Sequence, residues 1–216
     1  MDWRNESICL ITFTRNSAYE LERLLRHTYN FVDEIVVVDG CSSDRTVEVA
    51  EKFGAKIFRR KAWGFVEPDR MFAINQCKSS WILYLDIDEL PSISLLRDIK
   101  MITNKADAEG VAGFYIRRIN LIKGEINLPL EYQLRLYRRD KVLYKGIVHE
   151  MPKIRGKISY LPETYFIIHL PKLELSRHLK KSITYARYAS LQWPRNLLVS
   201  TLIQRAIAKL FPLTIY

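Results

Sequence analysis

Strand and helix signals alternate along the first half of the chain, and this alternation restricts the possible folds more than any other feature. Short apolar runs bounded by polar residues are typical of buried strands, and longer runs with apolar residues on one side are typical of helices. Strands are predicted at residues 7–13, 34–39, 55–60 and 81–85, and helices at residues 17–31, 44–53 and 68–78. The pattern predicts an α/β fold in which helices cover both faces of a parallel sheet. Ser17 and Glu20 have the spacing of a capping box, which predicts the start of the first helix.

The second half of the chain has a different pattern. Three segments alternate apolar and polar residues, as half-buried and usually antiparallel strands do, at residues 113–120, 132–138 and 141–144. Two helices are predicted at residues 173–191 and 196–211. We therefore expect a mostly parallel sheet flanked by helices over residues 1–170, and a basic helical appendix over residues 171–216.

The formal net charge of +10 is concentrated in the second half. Residues 1–100 carry 14 Lys and Arg against 16 Asp and Glu, whereas residues 101–216 carry 20 against 8. A basic half attracts an anionic partner, which can be a phosphate-bearing substrate, an anionic membrane or a nucleic acid. The last predicted helix has a broad apolar face with cations, which favours attachment to a membrane surface; packing on the rest of the chain or on a second copy is the alternative.

Composition and cysteine usage bound the class of protein. A hydrophobic content of 48% and a charged content of 27% fit a folded soluble protein and exclude a disordered one. Three isolated cysteines, Cys9, Cys41 and Cys77, lack CxxC spacing, so we expect no disulfide framework, no zinc cluster and a reducing compartment. We also expect no signal peptide and no transmembrane helix, and therefore a cytoplasmic protein.

Two carboxylates follow the apolar strand WILYL, at Asp86 and Asp88. Residues i and i+2 of an extended chain point the same way, so both side chains are expected to project together from the edge where parallel sheets bind ligands. Hard divalent cations such as Mg²⁺ and Mn²⁺ take oxygen ligands of this kind, often together with substrate phosphates. The sequence therefore predicts a metal site here; a solvated pair of acids opening a loop before Pro91 is the alternative.

Asp39 ends the second predicted strand, at the same edge of the sheet. A carboxylate there can accept hydrogen bonds from the ribose or the base of a nucleotide. Ser42, Ser43 and Asp44 follow closely, and we interpret them as capping residues of the next helix. Turn formation is the alternative role for Asp39.

Several common motifs are absent from the sequence. The first strand is not followed by GxGxxG, and no GxxxxGK[ST] occurs, which excludes the glycine cradles that hold dinucleotides and phosphates. Neither GxSxG nor HExxH is found. A nucleotide would have to be held by side chains and a metal.

Four ordered motifs carry a specific resemblance: FTRN at Phe13–Asn16, EIVVVDGCSSDRTVEVAEKFGA at Glu34–Ala55, DRMFAIN at Asp69–Asn75 and WILYLDIDE at Trp81–Glu89. Together they resemble glycosyltransferase family 2, whose catalytic domains have the nucleotide-binding GT-A fold. YQLRLYRR at Tyr132–Arg139, followed by GIVHE at Gly146–Glu150, resembles the branch that includes lipopolysaccharide-core glucosyltransferases. The resemblance covers roughly residues 7–150 and implies a GT-A catalytic domain within residues 1–170.

The resemblance implies a set of residues that contact the nucleotide-sugar donor. Those expected at the nucleoside or the diphosphate are Thr14, Asn16, Asp39, Arg70, Asp86, Arg135 and Arg138. Arg135 and Arg138 are alternatively acceptor contacts. The alternation of Gln133, Arg135, Tyr137 and Arg139 is alternatively the solvent-facing side of a strand.

The resemblance also implies metal ligands and catalytic groups. The metal ligands are expected at Asp86 and Asp88, with His169 as a further contact; a packed core histidine is the alternative for His169. Glu150 is the expected general base, which would deprotonate the acceptor hydroxyl, and a plain surface acid is its alternative. His149 is expected to orient Glu150, to contact the acceptor or to pack structurally.

These expectations describe an inverting glycosyltransferase that moves a sugar from a nucleotide-diphosphate sugar to a hydroxyl of a glycan or lipid-linked acceptor. The resemblance implies a single displacement, assisted by Mn²⁺ or Mg²⁺. The basic last helix, and not the resemblance, favours a location at the inner face of the cell membrane. Two alternatives stay open: another nucleotide enzyme such as a nucleotidyltransferase, and a non-catalytic basic module that binds anionic membrane or nucleic acid. The strand-end acids count against nucleic acid, because they would repel phosphate without a metal.

Overall fold

The computed structural model describes residues 6–61, 67–122, 124–144 and 152–171, and within them one mixed sheet of nine strands dominates the fold. The strands are β1 (Ile8–Thr14), β2 (Glu34–Asp39), β3 (Lys56–Arg59), β4 (Trp81–Tyr84), β5 (Glu89–Pro91), β6 (Val111–Ile122), β7 (Glu125–Arg138), β8 (Val142–Leu143), β9 (Lys153–Ile154), β10 (Lys157–Tyr160) and β11 (Phe166–His169). The helices are α1 (Ala18–Thr28), α2 (Thr46–Lys52), α3 (Glu67–Gln76) and α4 (Ile93–Ala108), with single 3₁₀ turns at Tyr29–Phe31 and Arg139–Lys141. β8 and β9 pair separately from the main sheet.

The first half of the sheet is parallel, as predicted, in the order β3-β2-β1-β4. The register sets Thr14 of β1 opposite Asp39 of β2, so the ends of these strands are level. β7 then pairs antiparallel with β4 and β6, as the alternating pattern predicted. β11 runs parallel to β6 and antiparallel to β5. β5 follows β4 closely in sequence, but it joins the sheet through β11. The sheet is therefore mixed rather than mostly parallel.

Helices cover both faces of the sheet. α1, α2 and α4 bury their apolar sides on one face, where Leu24, Val49 and Ile99 share a core with Leu83 of β4. α3 packs on the other face through Ala73 and Ile74. This arrangement leaves the carboxyl ends of β1, β2 and β4 at one edge, where ligands bind in sheets of this kind.

The long helix α4 was not predicted. It spans 16 residues and is capped by Ser92, whose Oγ accepts a hydrogen bond from the Leu95 backbone N–H. Leu95, Leu96 and Ile99 line its buried side with the helical spacing that the sequence already shows. The spacing of these residues was sufficient to predict the helix, but no element was assigned between the strand at residues 81–85 and that at residues 113–120.

The capping box predicted at Ser17 and Glu20 is wrong. The Ser17 hydroxyl donates to the Arg15 carbonyl and makes no cap. Instead the Asp44 carboxylate accepts from the backbone N–H of Ala18, the first residue of α1, at 3.2 Å. The loop after β2 lies against the start of α1, and this tertiary contact replaces the local one.

The expectation of three unpaired cysteines is also wrong. Cys9 of β1 and Cys77, just after α3, form a disulfide between residues 68 positions apart, and Cys41 is free and exposed. The bond joins β1 to the end of α3, within the core between the sheet and this helix. Spacing along the sequence cannot reveal this pair, because only the packing of α3 brings the two sulfurs together.

The basic segment at residues 172–216 lies outside the described residues, so the two helices predicted there stay predictions. Among the residues that the structure does describe, no helix is both long and apolar enough to cross a bilayer.

Candidate functional site

The loops after β1 and β2 interlock at the ligand-binding edge. Ser42 accepts a hydrogen bond through its Oγ from the Asn16 backbone N–H at 2.8 Å, and the Asn16 side-chain Oδ1 accepts from the Ser43 backbone N–H at 2.8 Å. Asn16 and Cys41 both have left-handed backbone conformations, with φ of 48° and 58°. Non-glycine residues in this region are uncommon and gather where a loop is held in a set shape for function.

Asp39 is buried beneath these loops and has no exposed surface. Its carboxylate accepts hydrogen bonds from the backbone N–H and the hydroxyl of Ser42, and the Arg59 guanidinium lies 3.5 Å away. Thr14, opposite Asp39 in the sheet, carries a buried hydroxyl with no hydrogen-bond partner among the described residues. The structure thus brings Thr14, Asn16 and Asp39 together, but much of the hydrogen-bonding capacity of Asn16 and Asp39 is used within the loops.

The chain turns immediately after β4, so the two carboxylates of the predicted metal motif do not lie on an extended strand. Ile87 and Asp88 form a turn, closed by a hydrogen bond from the Glu89 backbone N–H to the Asp86 carbonyl at 3.0 Å. The extended chain from which a shared direction of both side chains was predicted is therefore absent at this position. Asp86 and Asp88 contact different partners.

Asp86 belongs to a network that the sequence did not reveal, in which its own side chain is partly exposed while that of Arg135 is buried. Its Oδ1 accepts from the Tyr84 hydroxyl at 2.9 Å, and its Oδ2 accepts from Arg135 Nη2 at 2.6 Å. The same Nη2 donates to Glu89 Oε1 at 2.6 Å, and Arg118 Nη1 donates to that oxygen at 3.3 Å. Glu89, which follows the predicted motif directly, has no exposed surface.

Two opposing effects set the charge of this network. Burial alone would raise the pKa of the Asp86 carboxyl, but Arg135, the Tyr84 hydroxyl and Arg70 outweigh it and lower that pKa to about 2. Burial raises the pKa of Glu89, and the neighbouring charge of Asp86 adds to this effect while Arg135 opposes it. Asp86 is thus the member of the pair that holds a negative charge most firmly.

Two arginines converge on aromatic rings beside Asp86. The Arg135 guanidinium lies 4.6 Å from the centroid of the Tyr84 ring, and that of Arg70 lies 5.5 Å from it. Arg70 also lies over the Tyr144 ring, at 5.1 Å. These side chains line a small cavity of about 50 Å³ together with Gln133, Leu134 and Pro152. Arg135 Nε is buried without a hydrogen-bond partner among the described residues. The two arginines among the lining residues give the cavity a positive charge that attracts an anion.

His169, at the end of β11, lies close to Asp88 in the turn that follows Asp86. The His169 Nε2 atom is 3.5 Å from Asp88 Oδ2, and Asp88 is partly exposed. Two ligand atoms bound to one ion at about 2.2 Å each lie roughly 3.1–3.6 Å apart in octahedral or tetrahedral geometry. The nitrogen and oxygen donors fit a first-row divalent ion in both type and spacing.

The structure does not bring Arg138 to this edge. Arg138 is opposite Trp81, at the start of β4, and its guanidinium pairs with Asp107 and Asp140 at the far edge of the sheet. The family resemblance implied that Arg138 acts with Arg135, but Arg138 lies three positions further along a 14-residue strand that crosses the sheet. Glu150 and His149 lie outside the described residues.

A second and larger cavity, of about 510 Å³, opens at the opposite edge of the sheet. Ser7, Glu34 and Lys56 line it at the beginnings of β1, β2 and β3. It contains none of the predicted site residues. Because parallel sheets bind ligands at the carboxyl ends of their strands, we assign the site to the smaller cavity and the groups around Asp86 and Asp88.

Comparisons with known proteins identify relatives of this chain. Residues 7–162 match Glycosyl transferase family 2. A 138-residue segment is 32% identical to an uncharacterized glycosyltransferase from Rickettsia bellii and covers 62% of this chain and 47% of that protein. The chain therefore spans about half the length of this curated relative.

Two solved structures have a similar fold. S. aureus TarS in complex with UDP-GlcNAc aligns over 85% of this chain and 65% of its own, with a TM-score of 0.59 and 16% identity. The mannosyltransferase PcManGT from Pyrobaculum calidifontis, in complex with GDP-Man and Mn²⁺, aligns over 86% of this chain and 62% of its own, with a TM-score of 0.55 and 13% identity. At these identities the likeness shows the fold alone, and it confirms the expected GT-A-like α/β architecture.

Replacing Arg135 by Met is expected to lower the free energy of unfolding by about 3–5 kcal/mol, because it leaves Glu89 buried without its main counter-charge. Arg97→Met, at an exposed arginine that pairs with Asp98, is the matched control. It should change the free energy of unfolding by less than about 0.5 kcal/mol. Urea unfolding of both variants measures the difference. A further Glu89→Gln substitution should restore part of the stability lost in Arg135→Met. Equal effects of the two single substitutions would contradict the role given to the network.

Proposed function

We propose, from the premise that the chain belongs to Glycosyl transferase family 2, that it moves a sugar from a nucleoside-diphosphate sugar to an acceptor hydroxyl. The proposal goes further than the family alone. It assigns the donor to the edge formed by β1, β2 and β4, and it assigns a divalent metal to Asp88 and His169. The resemblance to lipopolysaccharide-core enzymes stays a prediction about the acceptor.

One observation carries the proposal: groups suited to a cation and groups suited to an anion flank Asp86. Asp88 and His169 present oxygen and nitrogen donors 3.5 Å apart. Arg70 and Arg135 line the neighbouring cavity with their guanidinium groups. A metal bound to a nucleoside diphosphate needs both kinds of group at once, because the ion and the phosphates carry opposite charges.

We assign different parts of the donor to different residues. The Thr14 hydroxyl and the Asp39 carboxylate lie at neighbouring strand ends, where they suit the ribose or the base. Arg70 and Arg135 suit the diphosphate through charge-assisted hydrogen bonds. Asp86 holds Arg135 in place through the contact at 2.6 Å, and we propose positioning as its main role.

The chemistry needs the negative charge of the departing nucleoside diphosphate to be stabilised. A divalent ion bound at Asp88 and His169 would supply such stabilisation as a Lewis acid. Arg70 and Arg135, which line the cavity, would stabilise the same charge from the protein side. The Tyr84 ring holds Arg70 and Arg135 in place, because both guanidinium groups lie over it.

The acceptor hydroxyl needs a base on the opposite face of the sugar, and we propose Glu150 with His149 beside it. This assignment rests on the sequence resemblance, which implies a single displacement with inversion and no covalent intermediate. The new bond forms between the acceptor oxygen and C1 of the sugar while the bond from C1 to the diphosphate oxygen breaks. Glu150 takes the acceptor proton.

We also propose that residues 171–216 attach the protein to the inner face of the cell membrane, near a glycan or lipid-linked acceptor. Residues 151–216 contain 11 Lys and Arg against 2 Asp and Glu, so anionic lipids attract this segment. We do not propose nucleic acid as its partner. The oligomeric state is left open.

Asp88→Asn is expected to weaken Mn²⁺-dependent donor binding by at least about tenfold, because it removes a charged ligand from the proposed metal site. Binding and slow hydrolysis are measured across UDP-, GDP- and dTDP-sugars with Mn²⁺, Mg²⁺ or EDTA. Asp140→Asn, an exposed acid paired with Arg138, is the control and should behave as the wild type. If a folded wild-type protein binds no donor with any metal, the non-catalytic module becomes the better account.

Glu150→Gln is expected to lower the rate of transfer to an acceptor by about 10²–10⁴-fold, because the base is lost while the carboxamide keeps the size of the side chain. Donor binding should not change, since Glu150 is proposed to act on the acceptor and not on the donor. Glu163→Gln, at an exposed acid, is the control. A Glu150→Gln variant that transfers sugar at the wild-type rate would remove Glu150 from the mechanism.

The full chain is expected to co-sediment with vesicles of phosphatidylcholine and phosphatidylglycerol more strongly than with vesicles of phosphatidylcholine alone. The difference should shrink as salt rises, because the attraction is electrostatic. Binding that is indifferent to anionic lipid would contradict the membrane proposal.

A further inference from the structure

We infer that Asn120 is a positioning residue, which fixes the tautomer of His169 and aims its Nε2 lone pair at the cation held with Asp88. The inference rests on the proposed function, because it concerns how one proposed metal ligand is prepared. Asn120 was not among the residues that the sequence singled out.

The backbone places Asn120 and His169 side by side. β6 and β11 run parallel, and their register sets Asn120 directly opposite His169. On its other side, His169 is opposite Glu89 of β5, and the Leu170 backbone N–H donates to the Asp88 carbonyl at 2.8 Å. The end of β11 is therefore held on both sides, so the position of the His169 ring depends on what its side chain contacts.

One side-chain contact of His169 is short and the other is long. The His169 Nδ1 atom lies 2.8 Å from Asn120 Oδ1, which is an ordinary hydrogen-bond distance. The Nε2 atom lies 3.5 Å from Asp88 Oδ2, beyond the usual range for a hydrogen bond. An amide oxygen can only accept, so this contact puts a proton on Nδ1. In the neutral ring, Nε2 then carries the lone pair.

The remaining arrangement is suited to a cation. In this tautomer, the Nε2 lone pair and the Asp88 carboxylate oxygen face each other with no proton between them. Two electron-rich atoms at this separation repel unless a positive charge lies between them. A histidine that binds a metal through one nitrogen typically donates its other N–H to an oxygen acceptor, which sets the tautomer and the ring orientation. Asn120 supplies that acceptor from the neighbouring strand.

The tautomer can be measured without metal or substrate. The ¹⁵N chemical shifts of the histidine rings are recorded on the full-length, metal-free protein near pH 8, where an ordinary histidine ring is neutral. His169→Gln identifies the signals of His169. We expect a protonated Nδ1 and an unprotonated Nε2 in the wild type, and a shift towards the opposite tautomer in Asn120→Leu. A wild-type ring protonated on Nε2, or an Asn120→Leu spectrum identical to that of the wild type, would overturn the inference.

The affinity for Mn²⁺ gives an independent readout. Titration followed by the electron paramagnetic resonance of free Mn²⁺ should show affinity reduced by about 10–100-fold in Asn120→Leu. Asn120→Asp keeps an oxygen acceptor at the same place and should retain most of the wild-type affinity. Arg117→Met alters the same pair of strands without touching His169 and serves as the control. Wild-type affinity in Asn120→Leu, or equal losses in Asn120→Leu and Asn120→Asp, would overturn the inference.

The two readouts separate this inference from the proposed function. If His169 shows the expected tautomer and binds Mn²⁺ with the expected dependence on Asn120, the inference holds even where no sugar is transferred, and only the proposed activity fails. If the enzyme transfers sugar with a metal while Nε2 carries the proton in the metal-free protein, the inference alone fails.

Discussion

The site depends on the pairing of one buried carboxylate with positively charged side chains. Glu89 has no exposed surface, and a buried carboxylate is stable only when cations and hydrogen-bond donors surround it. Arg135 and Arg118 reach it from β7 and β6, and Glu89 Oε2 in turn accepts from the Asp86 backbone N–H at 3.1 Å. One requirement therefore connects three strands and fixes the turn that carries Asp86 and Asp88. The same Arg135 faces the cavity that we assign to the diphosphate, so stability and binding depend on one guanidinium group.

The sequence was sufficient to predict the framework of this edge. EIVVVD predicted β2 with its exact bounds because an uninterrupted apolar run between polar residues leaves few alternatives to a buried strand. The antiparallel pairing of β6 with β7 followed from their alternating pattern. The acids at the ends of β2 and β4 could be located because a parallel sheet brings its carboxyl ends together. The proximity of His169 to Asp88 was expected only through the family resemblance.

The contacts that complete the site could not be predicted, because each depends on chain segments that are distant in sequence. Glu89 reads as an exposed acid until the fold places Arg135 beside it, 46 positions away. Asn120 looks like the polar end of a strand until β11 returns alongside β6. The supposed cap at Ser17 was displaced by Asp44 from the next loop for the same reason. Local patterns report which residues are buried or turned, but the partners of a buried charge are set by tertiary packing.

A structure of the full chain with Mn²⁺ and an unreactive nucleotide sugar tests the central claim most directly, with the ion located by its anomalous scattering. We predict the ion about 2.2 Å from an Asp88 carboxylate oxygen and from His169 Nε2, with the diphosphate in contact with Arg70 and Arg135. An ion and donor bound at the opposite edge, in the cavity lined by Glu34 and Lys56, would contradict the assignment of the site. So would a donor at the predicted edge whose diphosphate contacts neither arginine.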